Sequence, residues 1–263
     1  MADNLPLEYL MIRGLKKQFK PEEANAHISR YFAIKDKVYN ELVDWIRANE
    51  PMLSDHGQKH IDNVLKNAYK LLEKQINGEE VYIFSGLDLY ILCLTILFHD
   101  VGNFFQREFH NKNIQNILHD MFTQFFEGEH FREKGHIIAA GQSHSGKSRS
   151  GSKDTLREVL KIDHCNGEKI NLREIAAIVR LSDELAEGPQ RTCSYMLTKG
   201  KISPDSRIFH KYAQSTHIMI DANNDRITIS YEIELDVKQG KVLTKKARKE
   251  IYDFLRFIYD RIM

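Results

Sequence analysis

Three cysteines in 263 residues, odd in number and without CxxC spacing, give this chain neither a disulfide framework nor a zinc ribbon. It also lacks a charge surplus: 38 Lys and Arg stand against 37 Asp and Glu, for a net charge of +1. That balance speaks against a dedicated duplex nucleic-acid surface and against a polybasic membrane anchor. No apolar run is long. The longest, Leu89–Phe98, is about half of the ~20 residues that cross a bilayer, so no membrane partner is expected. The opening Met-Ala-Asp-Asn-Leu-Pro is unlike a signal peptide, and a reducing, cytoplasmic setting is the expectation. No internal repeat is visible. With 42% hydrophobic and 29% charged residues, the composition is that of a globular protein with a sizeable core.

What the chain does have is helical periodicity. Residues 1–20 read as a short lead-in. Ile28, Tyr31, Phe32, Val38, Tyr39, Leu42 and Ile46 then mark an amphipathic helix from Pro21 to about Asn49, with Lys35 the one polar gap in its stripe. Glu50-Pro51 interrupts it, a second helix runs over about 56–75, and Asn77-Gly78 breaks that one. Helices are also expected over 111–126, 134–142 and, with Asn171 as N-cap, 171–185. The stretch 143–153 has the Ser, Gly and Lys content of a mobile surface loop. After Cys193 the pattern changes: 217–220 and 226–235 suggest strands joined by the turn-forming Asp221–Asp225, and Thr244–Ile262 returns to helix.

The apolar run ends on His99-Asp100, two metal-competent side chains delivered together, with Gly102 letting the chain turn away just beyond. Asp is seldom fully buried unless paired or metal-bound. Two further segments supply donors. His56 and His60 stand four apart, which on a helix puts them on one face. Asp183 ends the apolar run Ile175–Leu181, at the unfavourable end of its helix dipole, where a cation would explain it.

The order His60, His99-Asp100, Asp183 resembles the HD superfamily of metal-dependent phosphohydrolases. The matching pieces are Asp-His-Gly-Gln-Lys-His-Ile-Asp-Asn-Val-Leu at 55–65, Leu-Phe-His-Asp-Val-Gly-Asn at 97–103 and Ile-Val-Arg-Leu-Ser-Asp-Glu-Leu at 178–185. The resemblance covers roughly residues 45–190. It implies a mainly α HD-domain helical bundle, here with a C-terminal β-hairpin and closing helix. The implied organisation is a lead-in at 1–44, a hydrolase core at 45–192, and a ribbon plus helix at 193–263 packed on that core. It further implies that His60, His99, Asp100 and Asp183 hold one metal, Asp183 being the position that bridges to a second. His110 and His144 resemble the extra histidines of the bimetallic branch, with His136 in reserve. No Gly-Tyr-Pro signature accompanies them, and Ser145 follows His144 where that branch has a second His. His56 resembles the proton donor of the cyclic-nucleotide phosphodiesterases; hydrogen bonding to an outer carboxylate is its other reading.

Imidazole and carboxylate donors suit one or two divalent ions, Mn²⁺, Fe²⁺, Co²⁺ or Ni²⁺ ahead of Zn²⁺ or Mg²⁺. The expected reaction is hydrolysis of a phosphate ester or anhydride, of a nucleotide above all, by a metal-activated water. Arg107, Lys147 and Arg149 are cations able to meet phosphate. The sequence leaves a homo-oligomer open. His119-Asp120, with His27, His130, His164, His210 and His217, reads as solvated surface.

Two other readings compete. One is an HD-type binding module that no longer turns over. The other is a P-loop, because Gly141-Gln-Ser-His-Ser-Gly146-Lys147-Ser148 fits GxxxxGK[ST] letter for letter. A P-loop joins a strand to a helix, whereas 133–140 reads as helix and no alternation of strands and helices surrounds it.

Overall fold

A computed structural model describes residues 5–49, 54–77, 84–105, 110–233 and 244–262. The pauses expected at Glu50-Pro51 and Gly78, and the side chain of Arg107, lie outside the described residues. Chain contacts divide the molecule into two units, one of residues 1–51, 55–186 and 220–227, the other of 52–54, 187–219 and 228–263.

The first unit is helical. Its helices are α1 (Pro6–Gln18), α2 (Pro21–Lys37), α3 (Asp44–Asn49), α4 (Gln58–Asn77), α5 (Gly86–Phe98), α6 (His110–Asp120), α7 (Phe131–Gln142) and, after a hairpin of β1 (Asp163–Cys165) and β2 (Glu168–Ile170), α8 (Leu172–Glu184). A π-helical turn, Val38–Val43, joins α2 to α3, so the expected 21–49 helix is continuous but locally unwound.

Helix α5 organises the unit. All of its residues are buried, and α1, α7 and α8 pack around it. Ser85 caps its start: the hydroxyl accepts from the Asp88 N–H while the Asp88 carboxylate accepts from the Ser85 N–H, a capping box. Gly86–Phe104 is the one described segment long and apolar enough to cross a membrane, and 94% of its most apolar window is buried inside the protein, which marks a core helix. Where α5 crosses α1, a Cβ on Gly86 would stand 2.4 Å from the Gly14 carbonyl carbon, so side-chain-free residues set that approach.

Residues 1–20 are therefore more than a lead-in. Leu7, Leu10, Met11 and Leu15 of α1 lie in the core. Lys35, the polar gap in the α2 stripe, reaches the fully buried Glu8 at 2.7 Å, and the Tyr31 hydroxyl donates to the same carboxylate oxygen. The gap is filled by an ion pair.

Asn171 stands at the N-cap of α8 as expected, but its side chain does not cap that helix. Its Nδ2 donates to Asp88 of α5 at 2.9 Å, and its backbone N–H donates to the other oxygen of the same carboxylate. The β1–β2 pair escaped the sequence reading. It is antiparallel, with Cys165 opposite Glu168, and turns on Asn166 and Gly167, both at positive φ. That is the two-residue hairpin turn Asn-Gly favours.

In the second unit α9 (Ser194–Thr198) and α10 (Pro204–Ser215) occupy a stretch to which periodicity assigned nothing. Then come β3 (Thr216–Asp221) and β4 (Arg226–Tyr231), whose turn-side residues 220–227 are counted in the first unit, and α11 (Lys245–Ile262). Strands β3 and β4 form the expected hairpin, turning at Asp225 in a left-handed conformation. Helix α11 lays the Arg261 guanidinium 4.7 Å over the Tyr212 ring, whose hydroxyl meets that of Tyr231 at 3.3 Å.

Candidate metal centre

Five elements of the first unit bring six donors together. Helix α4 supplies His60 and the end of α5 supplies His99 and Asp100. The start of α6 supplies His110, the turn after α7 supplies His144, and the last turn of α8 supplies Asp183. They form two groups of metal-competent atoms. One is His60, His99, Asp100 and Asp183; the other is Asp100, His110 and His144.

In the first group the Nε2 atoms of His60 and His99 are 3.2 Å apart. Asp100 Oδ2 lies 3.5 Å from His60 Nε2 and 3.3 Å from His99 Nε2, and Asp183 Oδ1 lies 3.1 and 3.6 Å from the same atoms. In the second, Asp100 turns its other oxygen, Oδ1, to His110 Nε2 at 3.6 Å and His144 Nε2 at 3.8 Å, and the two imidazoles meet at 3.3 Å. The shared carboxylate is thus Asp100. Asp183, to which the resemblance gave the bridging position, groups only with His60, His99 and Asp100, whereas Asp100 belongs to both groups.

The donor set fits a divalent ion in each group. Donors bound at about 2.0–2.2 Å to one ion stand ~3.0–3.5 Å from each other; the first group spans 3.1–3.6 Å and the second 3.3–3.8 Å, so the second would draw in slightly around an ion. The tautomers agree. His99 Nδ1–H donates to the Ile96 carbonyl at 2.7 Å and His144 Nδ1–H to the Gly141 carbonyl at 2.5 Å, which leaves each Nε2 lone pair facing the cluster. Two lone pairs aimed at one space repel unless a proton or a cation lies between them.

Protons do that work in the metal-free chain. Burial opposes charge on His99, but the carboxylates of Asp100 and Asp183 outweigh it and hold its pKa well above the usual imidazole value. Burial likewise opposes charge on Asp100 and Asp183. For Asp100 the effect of His99, then of His60, prevails; for Asp183 that of His60 and His99 does, and both acids are held well below the usual carboxylate range. His144 is pushed down to about 4, by burial first and by the charge on His99 second, so it stays neutral and ready to bind metal.

His56 Nε2 lies 3.9 Å from Asp100 Oδ2, the oxygen that Asp100 turns to the first group. His136 is in neither group: its Nε2 pairs with Asp163 at 3.1 Å. His119, Asp120, His164 and His217 are exposed, as expected of solvated residues. His27 and His210 are not. His210 is buried with Nδ1 2.8 Å from the Thr192 hydroxyl. His27 stacks on Phe19 and joins His130 around the buried Glu133, which Arg30 clamps at 2.7 and 2.9 Å.

That last group also has metal-competent atoms, but the Arg30 guanidinium already neutralises its only carboxylate. It is structural. Burial would raise the Glu133 pKa, yet His27, Arg30 and His130 together lower it. Its stabilising effect is therefore present above the unfolded carboxylate pKa and lost as pH falls through the lower, folded value. Glu133→Gln should cost ~3–5 kcal/mol near neutrality, because Arg30 is left unpaired. In urea titrations between pH 7 and 3 the gap from wild type should narrow toward the acid end; a gap independent of pH would refute the pairing.

Asn103 was passed over in the sequence, although it belongs to the His-Asp-Val-Gly-Asn segment. It is buried, and its Nδ2 donates both to the Asp100 carbonyl at 3.0 Å and to Asp100 Oδ1 at 3.2 Å. That amide aims the shared carboxylate at the second group. Asn103→Ala should weaken metal binding by about 10–100-fold, read by competition with a chelating dye, with the larger loss at the second group. An unchanged affinity would remove Asn103 from the centre.

The P-loop context is absent. Gly141 and Gln142 end α7, and 143–150 runs through turns, so a helix C-terminus stands where a strand is required. Nor is 143–153 held as loosely as the expected mobile surface loop. Asn111 Nδ2 donates to the Gln142 and Ser145 carbonyls, the Thr155 hydroxyl donates to the Ser143 carbonyl, and Ser148 and Ser152 bond each other. Those bonds fix His144.

The model of one protein family, HD-CE, matches residues 50–262. No curated protein and no solved structure matches the chain.

Proposed function

The chain belongs to the HD-CE family, and from that premise we propose that it is a metal-dependent phosphohydrolase that cleaves a phosphate ester or anhydride of a nucleotide. One observation carries the reading: two groups of His and Asp donors share Asp100, one oxygen to each. Donors so arranged hold two cations side by side. Bound divalent ions supply Lewis acidity toward phosphoryl oxygens and a water acidic enough to attack near neutral pH.

The chain's own residues do the rest. Asp100, flanked by His60 and His99 on one oxygen and by His110 and His144 on the other, fixes where phosphate is held. Asp183 completes the first group from α8. His56, with its Nε2 directed toward Asp100 at 3.9 Å, is assigned the proton that the leaving oxygen takes up. Burial of His60, His99 and His144 keeps bulk water from competing for their Nε2 atoms.

The test is elemental analysis of protein purified without chelator or polyhistidine tag, followed by phosphate release from nucleotides with the metal found. Bound metal, hydrolysis that stops on chelation, and a His56→Ala variant that keeps its metal but hydrolyses about 10²–10⁴-fold more slowly are expected. Bound metal without hydrolysis of any phosphate ester or anhydride would favour the silent binding module.

A further inference from the structure

A cavity of ≈ 950 Å³ lies in the first unit beside α6, α7 and the segment 147–160, and neither His56 nor any of the six donors lines it. Arg132, Lys134, Lys147 and Arg149 do. Neither Lys134 nor Lys147 has a carboxylate partner among the described residues, and the bond Arg149 makes to Glu158 uses its backbone N–H. The two acids in the wall are Glu158, which accepts that N–H, and Asp163, which is paired with His136. In a chain of net charge +1 this is a local surplus of cations.

The apolar part of the wall is as unusual. Phe131 (70% exposed) and Leu160 (61%) are the most exposed large apolar side chains among the described residues of the first unit, and both line this cavity. A water-exposed ring beside unpaired cations is the composition that stacks a base and holds its phosphates.

We infer that this cavity binds a small phosphorylated ligand carrying a flat ring, a nucleotide in chemical class, at a place separate from the two donor groups. Phe131 stacks on the ring; Lys134, Lys147 and Arg149 hold the phosphates. Lys147 thereby has a phosphate-binding role without a P-loop, as a point charge on a cavity wall. Ser143, in the same wall, directly precedes His144, so the ligand would sit close in sequence to a donor of the second group.

The experiment is calorimetric titration of the full chain, stripped of metal with EDTA, with ATP and separately with inorganic tripolyphosphate. Both should bind without divalent metal. The double variant Lys147→Ala/Arg149→Ala should weaken both by at least about tenfold. Phe131→Ala should weaken ATP by at least about fivefold and leave tripolyphosphate unchanged. All three side chains are exposed, so loss of fold is not expected; circular dichroism checks it. No binding to the metal-free chain, or equal binding by wild type and the double variant, would overturn the site. So would a single-stranded oligonucleotide that binds more tightly than ATP, which would make the cavity part of a nucleic-acid track. Because no metal is present, the outcome does not depend on whether the paired donor groups are catalytic.

Discussion

Asp100→Ala should empty both donor groups at once. Its Oδ2 belongs to the group with His60 and His99, and its Oδ1 to the group with His110 and His144. Among the described residues no other side chain serves both. Two control substitutions make the comparison selective: Asp183→Ala removes a donor from the first group alone, and His110→Ala from the second alone. By elemental analysis the expected series is about two equivalents for wild type, about one for His110→Ala and near zero for Asp100→Ala. Phosphate release should fall by at least about 10³-fold in the last, since several kcal/mol of charge stabilisation disappear with the ions. The variant should still fold. With Asp100 gone, Asp183 still stands within 3.1 and 3.6 Å of His60 and His99, so the buried imidazoles keep a carboxylate partner. Asp100→Ala protein that keeps its metal would end the shared-carboxylate reading.

The acidity of the centre makes a related statement about pH. In the metal-free chain a proton on His99 balances the two carboxylates; a cation entering the first group takes that role and displaces the proton. Metal affinity should therefore fall with acidity through the range where His99 is protonated.

How much of this was legible in the chain depends on whether local pattern or tertiary approach decides a feature. Helix α5 was plain, because a continuous apolar run that stops at His99-Asp100 has few other outcomes, although its capping Ser85 was not singled out. His60, His99, Asp100 and Asp183 could be singled out because each ends or punctuates an apolar helical face. Asn103 could not: its role rests on a hydrogen bond three residues back, and a lone Asn after Gly looks like turn chemistry. Helix α1 was undervalued because its importance lies in Gly14 meeting Gly86 and in Lys35 reaching Glu8, contacts that no spacing within 1–20 announces. His27 and His210 looked like surface because their partners, Glu133 and Thr192, are remote in sequence. The β1–β2 hairpin is the opposite case. Asn166-Gly167 is a short-range hairpin signal, and strands of three residues were too brief to display alternation beside it.

Gly102 joins these levels and gives the sharpest test of the second group. It was read as the residue that lets the chain turn after Asp100, yet its φ is not among the positive ones. What requires glycine there is proximity. A Cβ at 102 would lie 1.7 Å from the His110 carbonyl oxygen and 2.6 Å from its carbonyl carbon, and both are backbone atoms that no rotamer can move aside. Gly102→Ala must therefore push the start of α6 away, and His110 with it, out of reach of Asp100 Oδ1 and His144. The first group draws its donors from α4, the end of α5 and α8 and does not depend on α6. The variant should lose ~1–3 kcal/mol of stability by overpacking. Its metal content should drop to about one equivalent, the value expected of His110→Ala, with a similar loss of phosphate release. Adding His110→Ala to Gly102→Ala should then change little, because both act on the same donor. A Gly102→Ala protein with wild-type metal content would mean that His110 does not hold the second ion.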